Sequence, residues 1–432
     1  MLDSVWTKGV QLPDFPSLEG DTKTDVLVVG GGMAGLLIAH KLTRAGIDNL
    51  LIEADRICHG VTRNTTAKIT SQHGLIYDKL ARMFNDDTAK LYYQANQDAI
   101  GQFRELAKDV PCDFSEQSSY VYTRHYTVDF EKEMQTLQRL GIPFELKKET
   151  QLPFPTDGAI RFRRQAQFHP LLFLQAIAKD LNIRENTRFI AFDGSSVITD
   201  SGKIHAKCIV MATHFPIINK HGSYFIKMYQ ERSYAVALVG AENLQGMYRD
   251  ADPKGLSFRN CGDYLLLGGG AHRTGKTSDG WKPLENAAAE YYPKFKISYR
   301  WATQDCMTLD HLPYIGQYSK RTPRLFVAAG FNKWGMTGSM VAATVLCDLL
   351  EGKDAPYGGI FSPSRSILRK QLLINGVSSA VNLLTPTKPR CPHLGCALKW
   401  NPQEHSWDCP CHGSRFTNDG KLLDNPANGD LP

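Results

Sequence analysis

The residues with the most specific chemistry lie in two short boxes near the end of the chain. They are Cys391-Pro392-His393-Leu394-Gly395-Cys396 and Cys409-Pro410-Cys411-His412-Gly413-Ser414. Each box offers one thiolate and one imidazole, Cys391 with His393 and Cys409 with His412. Two thiolates on one iron and two neutral imidazoles on the other would hold a [2Fe–2S] cluster. The same four side chains also satisfy a tetrahedral zinc ion, although zinc leaves Cys396 and Cys411 without a role. The other six cysteines, Cys58, Cys112, Cys208, Cys261, Cys306 and Cys347, are scattered singly. That density does not suit a secreted disulfide framework, so they read as free buried thiols.

A second chemistry is written near residue 30. The apolar run Asp25-Val26-Leu27-Val28-Val29 breaks into Gly30-Gly31-Gly32-Met33-Ala34-Gly35, and Leu36, Leu37, Ala39, Leu42 and Ala45 continue a helical stripe. Gly30, Gly32 and Gly35 match Gly-x-Gly-x-x-Gly. The first glycine permits a tight turn, the second lets a pyrophosphate approach the backbone, and the third lets helix and strand pack closely. The phosphates then meet the helix N-terminus, at Met33 and Ala34. A second strand, Leu50-Leu51-Ile52, ends at Glu53 and Ala54, which places Glu53 to bind a ribose hydroxyl pair. Strand, glycine turn, helix, strand and acidic residue in register predict a dinucleotide site. The hydroxyl-rich stretch from Gly60 to Lys68, with Thr62, Thr65, Thr66 and Ala67, can wrap a phosphate and the edge of a flavin.

Other elements must position these groups. Residues 75–109 read as helical, with Tyr77, Leu80, Met83, Leu91 and Phe103 as core candidates, and a further helix ends at Gly141. His169-Pro170 starts another helix, with His169 read as a cap or core residue. The run Lys207 to Met211 is a buried strand that closes into Ala212-Thr213-His214, and residues 219–319 alternate in a β-rich pattern. Arg324 to Gly330 supplies a last strand and turn, and Gly335 opens a helix running to Leu350. That helix N-terminus would stabilise negative charge beside Trp334. Between Ser362 and Arg390, Ile367, Leu368, Leu372, Leu373, Val377 and Val381 recur at near-helical spacing. They predict a connector helix packed on the first domain, with a membrane-surface helix as the lesser alternative.

The boxes follow the patterns Cys-x-His-x-x-Cys and Cys-x-Cys-His-x-Ser and resemble a Rieske [2Fe–2S] domain. The resemblance implies Cys391, His393, Cys409 and His412 as iron ligands and a disulfide between Cys396 and Cys411. It also implies about three strands before the first box, for which there is little room, so the all-β module looks trimmed. High-potential relatives carry a Ser and a Tyr near the cluster. Here Ser414 is present and Phe416 stands at the Tyr position.

The glycine fingerprint and the Gly60–Lys68 loop resemble the D-amino-acid oxidase and glycine oxidase superfamily of FAD enzymes over roughly residues 24–352. This resemblance implies an α/β FAD-binding domain, Rossmann-like and of the glutathione-reductase type, with an inserted α+β substrate domain. The FAD-binding parts would be 1–84, 167–218 and 320–362. The substrate-domain parts would be 85–166 and 219–319, followed by a connector, 363–390, and the Rieske module, 391–432. Further implied FAD contacts are Phe189, Ala212, Thr213, Gly330, Trp334, Gly335, Met336 and Thr337. Asn64 stands where some relatives tether flavin through His, and Thr303, not Cys306, stands where others use Cys, so FAD is expected to bind non-covalently. Relatives commonly have Gly where His214 stands. Tyr234, Arg259, Arg273 and Trp301 are candidate substrate contacts, and no catalytic base is named.

FAD accepts two electrons and a Rieske centre carries one. Their combination implies a dehydrogenase of a small amine or amino acid that exports electrons singly to an acceptor protein or a quinone. Two alternatives stand beside it: a redox relay fed by a partner protein, and a flavoenzyme whose trimmed module is structural. The remaining composition excludes other classes. A net charge of +6 spread over 50 basic and 44 acidic residues carries no nucleic-acid footprint. Arg161, Arg163 and Arg164 form the one tight basic run and read as a solvated strand edge. No leader pattern and no apolar run of about 18 residues is seen, which predicts a cytoplasmic protein without a membrane span.

Overall fold

The buried run at Val26–Val29 forms the strand Thr22–Val29 at the centre of an eight-stranded sheet. It pairs in parallel with Asn49–Ile52 on one side and with Lys203–Met211 on the other. Leu325–Ala329 and Ile183–Arg184 extend the parallel set, and Tyr314–Gln317 closes one edge antiparallel. Strands buried on both faces need cover on each side, and Phe189, Val197, Phe215, Ile218 and Tyr224 supply it on one. Met33–Arg44, Pro170–Ala178 and Gly335–Leu350 belong to the large core cluster that covers the other face. The computed structural model describes residues 3–194, 196–219, 221–386 and 389–432.

A second, nine-stranded sheet gathers chain from both inserted segments. Ser115–Thr123 and Gly158–Gln167 pair antiparallel, and Met247–Asp250 joins them in parallel through Ser119–Tyr122. Met228–Val239, Tyr264–Arg273 and Lys296–Thr308 form the long antiparallel part. The predicted helical stretch 75–109 divides into Tyr77–Met83 and Asp86–Ala107, with Asn85 capping the second helix. His169 caps Pro170–Ala178 by accepting from the Leu172 N–H. The Arg161, Arg163 and Arg164 run pairs with Glu145 and Glu116 at the sheet surface.

The last 42 residues or so form a four-stranded antiparallel sheet of short strands, Lys399–Asn401, Ser406–Asp408, Arg415–Phe416 and Leu422–Asp424. Its own core is small. Cys391, Cys396, Leu398, Cys409, Cys411, Phe416 and Ala427 fill it. So small a core cannot stand alone, and the module leans on the second sheet. Arg232 from that sheet and Arg415 from the module share Glu404, and Arg415 also holds Asp408 and Asp424, all at low exposure. Burial pushes the Glu404 carboxyl up, but the two guanidiniums outweigh it and hold it below its usual range.

The connector helix, Lys370–Leu384, corrects one expectation. Of the six apolar residues expected to pack, Leu368, Leu373, Val377 and Val381 are exposed and only Ile367 and Leu372 are half-buried, while Asn375 and Asn382 are buried. The physical reason lies in what the inner face meets. Arg273 donates to Asn375 Oδ1, Asn375 Nδ2 donates to the Ile226 carbonyl, and the Ala397 N–H donates to the Asn382 carbonyl. Arg273 and the Ile226 carbonyl need a polar side chain, which Asn375 supplies, so the helix turns this face inward.

Candidate functional site

Three segments converge at the C-terminal ends of the parallel strands, where an open α/β sheet binds its ligands. They enclose a cavity of about 610 Å³. The glycine turn forms one end of it. Gly30 has φ +114°, and a Cβ there would lie 2.6 Å from the Ala212 carbonyl oxygen. A Cβ on Gly35 would lie 1.9 Å from the Gly30 oxygen, so the strand-to-helix contact tolerates no side chain. Glu53 Oε2 accepts from the Gly31 N–H at 2.7 Å, and burial raises its carboxyl against these backbone donors. Thr62 Oγ1 accepts from the Met33 N–H at 3.0 Å, which holds the loop against the helix N-terminus.

Of the dinucleotide-site residues read from sequence, Gly30, Gly32, Met33, Ala34, Glu53 and Ala54 line this cavity. So do Thr62, Thr65, Thr66, Phe189, Ala212 and Thr213, and then Trp334, Gly335 and Met336. Gly35, Ala67, Gly330 and Thr337 stand behind the lining. Gly330 has φ +71° and no room for a Cβ beside Thr308, and the Thr337 hydroxyl donates to the Thr70 carbonyl. His214 takes φ +65°, a backbone region that favours glycine, and it lines the cavity with Nε2 buried and unpartnered. Thr303 lines the cavity. Cys306 does not; its Sγ lies 3.8 Å from Met228 Sδ within the core.

The four candidate substrate contacts separate. Tyr234 lines the cavity, but its hydroxyl turns to Glu404 of the C-terminal module at 3.2 Å. Arg259 is buried and donates to the carbonyls of Thr66, Ala67 and Phe168. The Trp301 ring N–H donates to the Asn64 carbonyl, and Trp6 likewise to Thr65. These three side chains clamp the hydroxyl-rich loop. Arg273 reaches the second Cys/His box, where it donates to the carbonyls of Pro410 and Cys411 at 3.2 and 3.1 Å.

Other charged residues line the same cavity and carried no local signal. Lys68 and Arg249 face it, and neither forms an ion pair among the described residues. Desolvation first, then the nearby Arg249 and Arg259, pull the Lys68 ammonium down to about 7. Lys333 is held differently. Its ammonium lies 2.8 Å from Asp305 and 3.1 Å from Glu231, and these carboxylates keep it charged in spite of burial. Lys68 and Arg249 come from different sheet strands far apart in sequence, so only the folded sheet brings them together.

The two Cys/His boxes meet as the spacing predicts. Cys396 and Cys411 are joined in a disulfide, and Cys391 and Cys409 are buried free thiols beside it. The His393 and His412 rings stand 4.9 Å apart between centroids. His393 Nδ1 and both ring nitrogens of His412 are buried without a protein partner, and burial pulls His393 to about 4 and His412 to about 3. Such imidazoles are neutral, as metal ligation requires. A hydrogen bond with the Cys409 thiol holds Cys391 at about 7 in spite of burial, and Ser414 and the N–H groups of His393 and Leu394 add to it. Two thiols and two imidazoles, each with an unpartnered buried Nδ1, together with a remaining pair of cysteines already bonded, fit a [2Fe–2S] cluster.

The back of the cluster site belongs to the flavin side of the molecule. His393 Nε2 lies 2.8 Å from Asn219 Oδ1, and the Phe215 ring meets both histidines edge-on. Gln230 donates to the His412 carbonyl and Gln304 to that of Gly413. In return, Leu422 to Asn425, Ala427 and Asn428 of the module line the large cavity, and Asn425 donates to the carbonyls of Thr213 and Phe215.

Residues 25–349 match the family model described as FAD dependent oxidoreductase. The chain belongs to the FAD-dependent oxidoreductase family. Residues 369–432 of this FAD-dependent oxidoreductase match the Rieske [2Fe-2S] domain, so its cofactors are FAD and a [2Fe–2S] cluster. It is 35% identical to "Putative Rieske 2Fe-2S iron-sulfur protein YhfW" of Bacillus subtilis (strain 168), over 98% of this chain and 96% of that one. It is 24% identical to gamma-glutamylputrescine oxidoreductase of Escherichia coli (strain K12), over 78% and 86% of the two chains. Among solved structures, glycine oxidase from Geobacillus kaustophilus shares the fold at a TM-score of 0.66 and 20% identity, covering 80% of this chain and 99% of that one. The oxidoreductase thus has the fold read from its sequence: a Rossmann-like FAD-binding sheet, an inserted substrate sheet and a small all-β Rieske module.

Proposed function

We propose that this oxidoreductase is a dehydrogenase of a small amine or amino acid, oxidised at the carbon next to nitrogen. Its electrons leave singly through its own Rieske centre to an acceptor protein or a quinone. The observation that carries this reading is the shared wall: residues 422–425 and 427–428 of the Rieske module line the flavin cavity, and cavity-lining Thr213 is two residues from Phe215, which touches both histidine ligands.

Bound FAD supplies a two-electron acceptor, and the cluster a one-electron carrier. The chain's own residues do the rest. The glycine turn and the N-terminus of Met33–Arg44 are placed to receive the pyrophosphate, with Glu53 for the ribose. Gly335 and Met336 bring a second helix N-terminus to the cavity, where its dipole favours negative charge. Cys391 and Cys409 would hold one iron, and His393 and His412 the other.

Lys68 and Arg249 support a substrate that carries a carboxylate. Two cations without ion-pair partners facing one cavity attract an anion, and Arg249 can bind a carboxylate bidentately. Lys333, by contrast, is already engaged by Asp305 and Glu231 and is not free to take an anion. Several similar proteins support the class: a glycine oxidase, an L-proline dehydrogenase and gamma-glutamylputrescine oxidoreductase. The test is anaerobic bleaching of the flavin absorbance by a panel of amines and amino acids. Bleaching by carboxylate-bearing members supports the reading, and no bleaching by any member contradicts it.

A further inference from the structure

The connector helix presents an apolar face to the outside of the molecule. Leu373, Val377, Val381 and Leu384 follow one another at helical spacing and are 74%, 64%, 58% and 83% exposed, with Ile374 at 55% beside them. Leu368, just before the helix, is 79% exposed. Isolated exposed apolar residues are ordinary, but a continuous stripe of large ones on a single helix marks a surface that something covers. The polar face cannot be the outer one, because the Asn375 side chain is fixed by Arg273 and the Ile226 carbonyl, and the Asn382 backbone carbonyl by the Ala397 N–H.

Charge narrows what covers it. Residues 363–390 contain five cations, Arg365, Arg369, Lys370, Lys388 and Arg390, and no Asp or Glu. Arg365 is paired with Asp310, whereas Arg369, Lys370 and Arg390 form no ion pair among the described residues. Lys370 is exposed at the start of the apolar stripe. An apolar helical stripe that starts at an exposed Lys370, on a segment free of acidic residues, matches an anionic lipid surface, where apolar burial and attraction to negative headgroups act together. With 15 residues and polar positions on its inner face, the helix is far too short and too polar to span the bilayer.

We propose that Lys370–Leu384 is an interfacial helix that docks this enzyme on an anionic phospholipid bilayer. Its C-terminal end is tied to the first cluster box, since Arg390 donates to the carbonyls of Leu383, Thr385 and Gly395. Docking therefore puts the first cluster box beside the membrane-facing helix, with the module still fixed to the flavin domain.

The test is co-sedimentation of the cofactor-loaded full chain with vesicles of equal parts phosphatidylglycerol and phosphatidylcholine, against pure phosphatidylcholine. The wild type is expected to pellet with the anionic vesicles and to be released by salt. The double variant Val377→Glu with Val381→Glu is expected to lose at least about tenfold in bound fraction while keeping the flavin and cluster absorbance, which shows that it folds. The proposal is overturned if the wild type stays in the supernatant, or if the double variant pellets equally well. It is also overturned if light scattering finds a wild-type dimer that the variant splits, because a second copy of the chain then covers the stripe.

Discussion

Arg273 donates to the backbone carbonyl of Cys411 at 3.1 Å, so a residue of the substrate-side sheet holds the second ligand loop of the cluster. The same guanidinium reaches Pro410 and, through Asn375, the connector helix. Replacing it with Met leaves these buried acceptors unpaired, at a cost of about 2–4 kcal/mol. Arg273→Met is expected to lose cluster absorbance at a lower temperature than the wild type, with substrate affinity in anaerobic flavin titration changed less than about threefold. A large loss of substrate affinity with an intact cluster would return Arg273 to the substrate site.

Lys68 makes substrate binding depend on pH near neutrality. It is charged below about 7 and loses its charge above, because the dry cavity wall and two neighbouring arginines disfavour the ammonium. A carboxylate substrate binds the charged form. Its affinity is therefore expected to fall as pH rises through about 7, by up to about tenfold for one charge-assisted hydrogen bond. Lys68→Met is expected to bind weakly at every pH with a flat profile, and dissociation constants from anaerobic titration across neutral pH check this.

The ligand set predicts unequal effects within the boxes. His393→Ala and His412→Ala each remove a ligand, and both are expected to lose iron, acid-labile sulfide and the low-field EPR signal of a His-ligated cluster. Cys396→Ser keeps all four ligands and breaks only the disulfide to Cys411, 15 residues away. It is expected to retain iron while the module loses about 3 kcal/mol of stability on a chain-entropy basis.

Hydrogen bonds to the cluster and its sulfurs raise its potential by stabilising the reduced, more negative form. Ser414 supplies one such donor toward Cys391. Phe416, fully buried in the same small core, supplies none. Phe416→Tyr is accordingly expected to raise the midpoint potential and Ser414→Ala to lower it. A redox titration in which Phe416→Tyr leaves the midpoint unchanged counts against this account of its tuning.

The readable parts of this chain were those where chemistry is local. The glycine turn, Glu53 and the two Cys/His boxes each bring their reactive groups together within about 30 residues, so spacing alone carries the geometry. Arg259 and Trp301 show where that stops. Both are buried beside the flavin site, but their hydrogen bonds run to the backbone of the Asn64–Ala67 loop, some 190 to 240 positions away. Lys68 and Arg249 were invisible for the same reason, since a lone cation on a strand gives no sign of which cavity it will face. The connector helix departs from its expected packing because spacing gives its period and not its inside. Hydrophobic spacing identifies a helix and an apolar stripe, and only the neighbours Arg273, Ile226 and Ala397 decide that the stripe faces out.

The central claim is that electrons taken by the flavin reach the Rieske cluster of the same chain. The most direct test is freeze-quench EPR after anaerobic mixing of the loaded enzyme with a substrate found in the amine and amino-acid panel, without any added acceptor. The account predicts that the low-field signal of the reduced cluster rises as the flavin absorbance falls. A flavin that bleaches fully while an iron-loaded cluster stays oxidised, or a module that contains zinc and no iron, would contradict it.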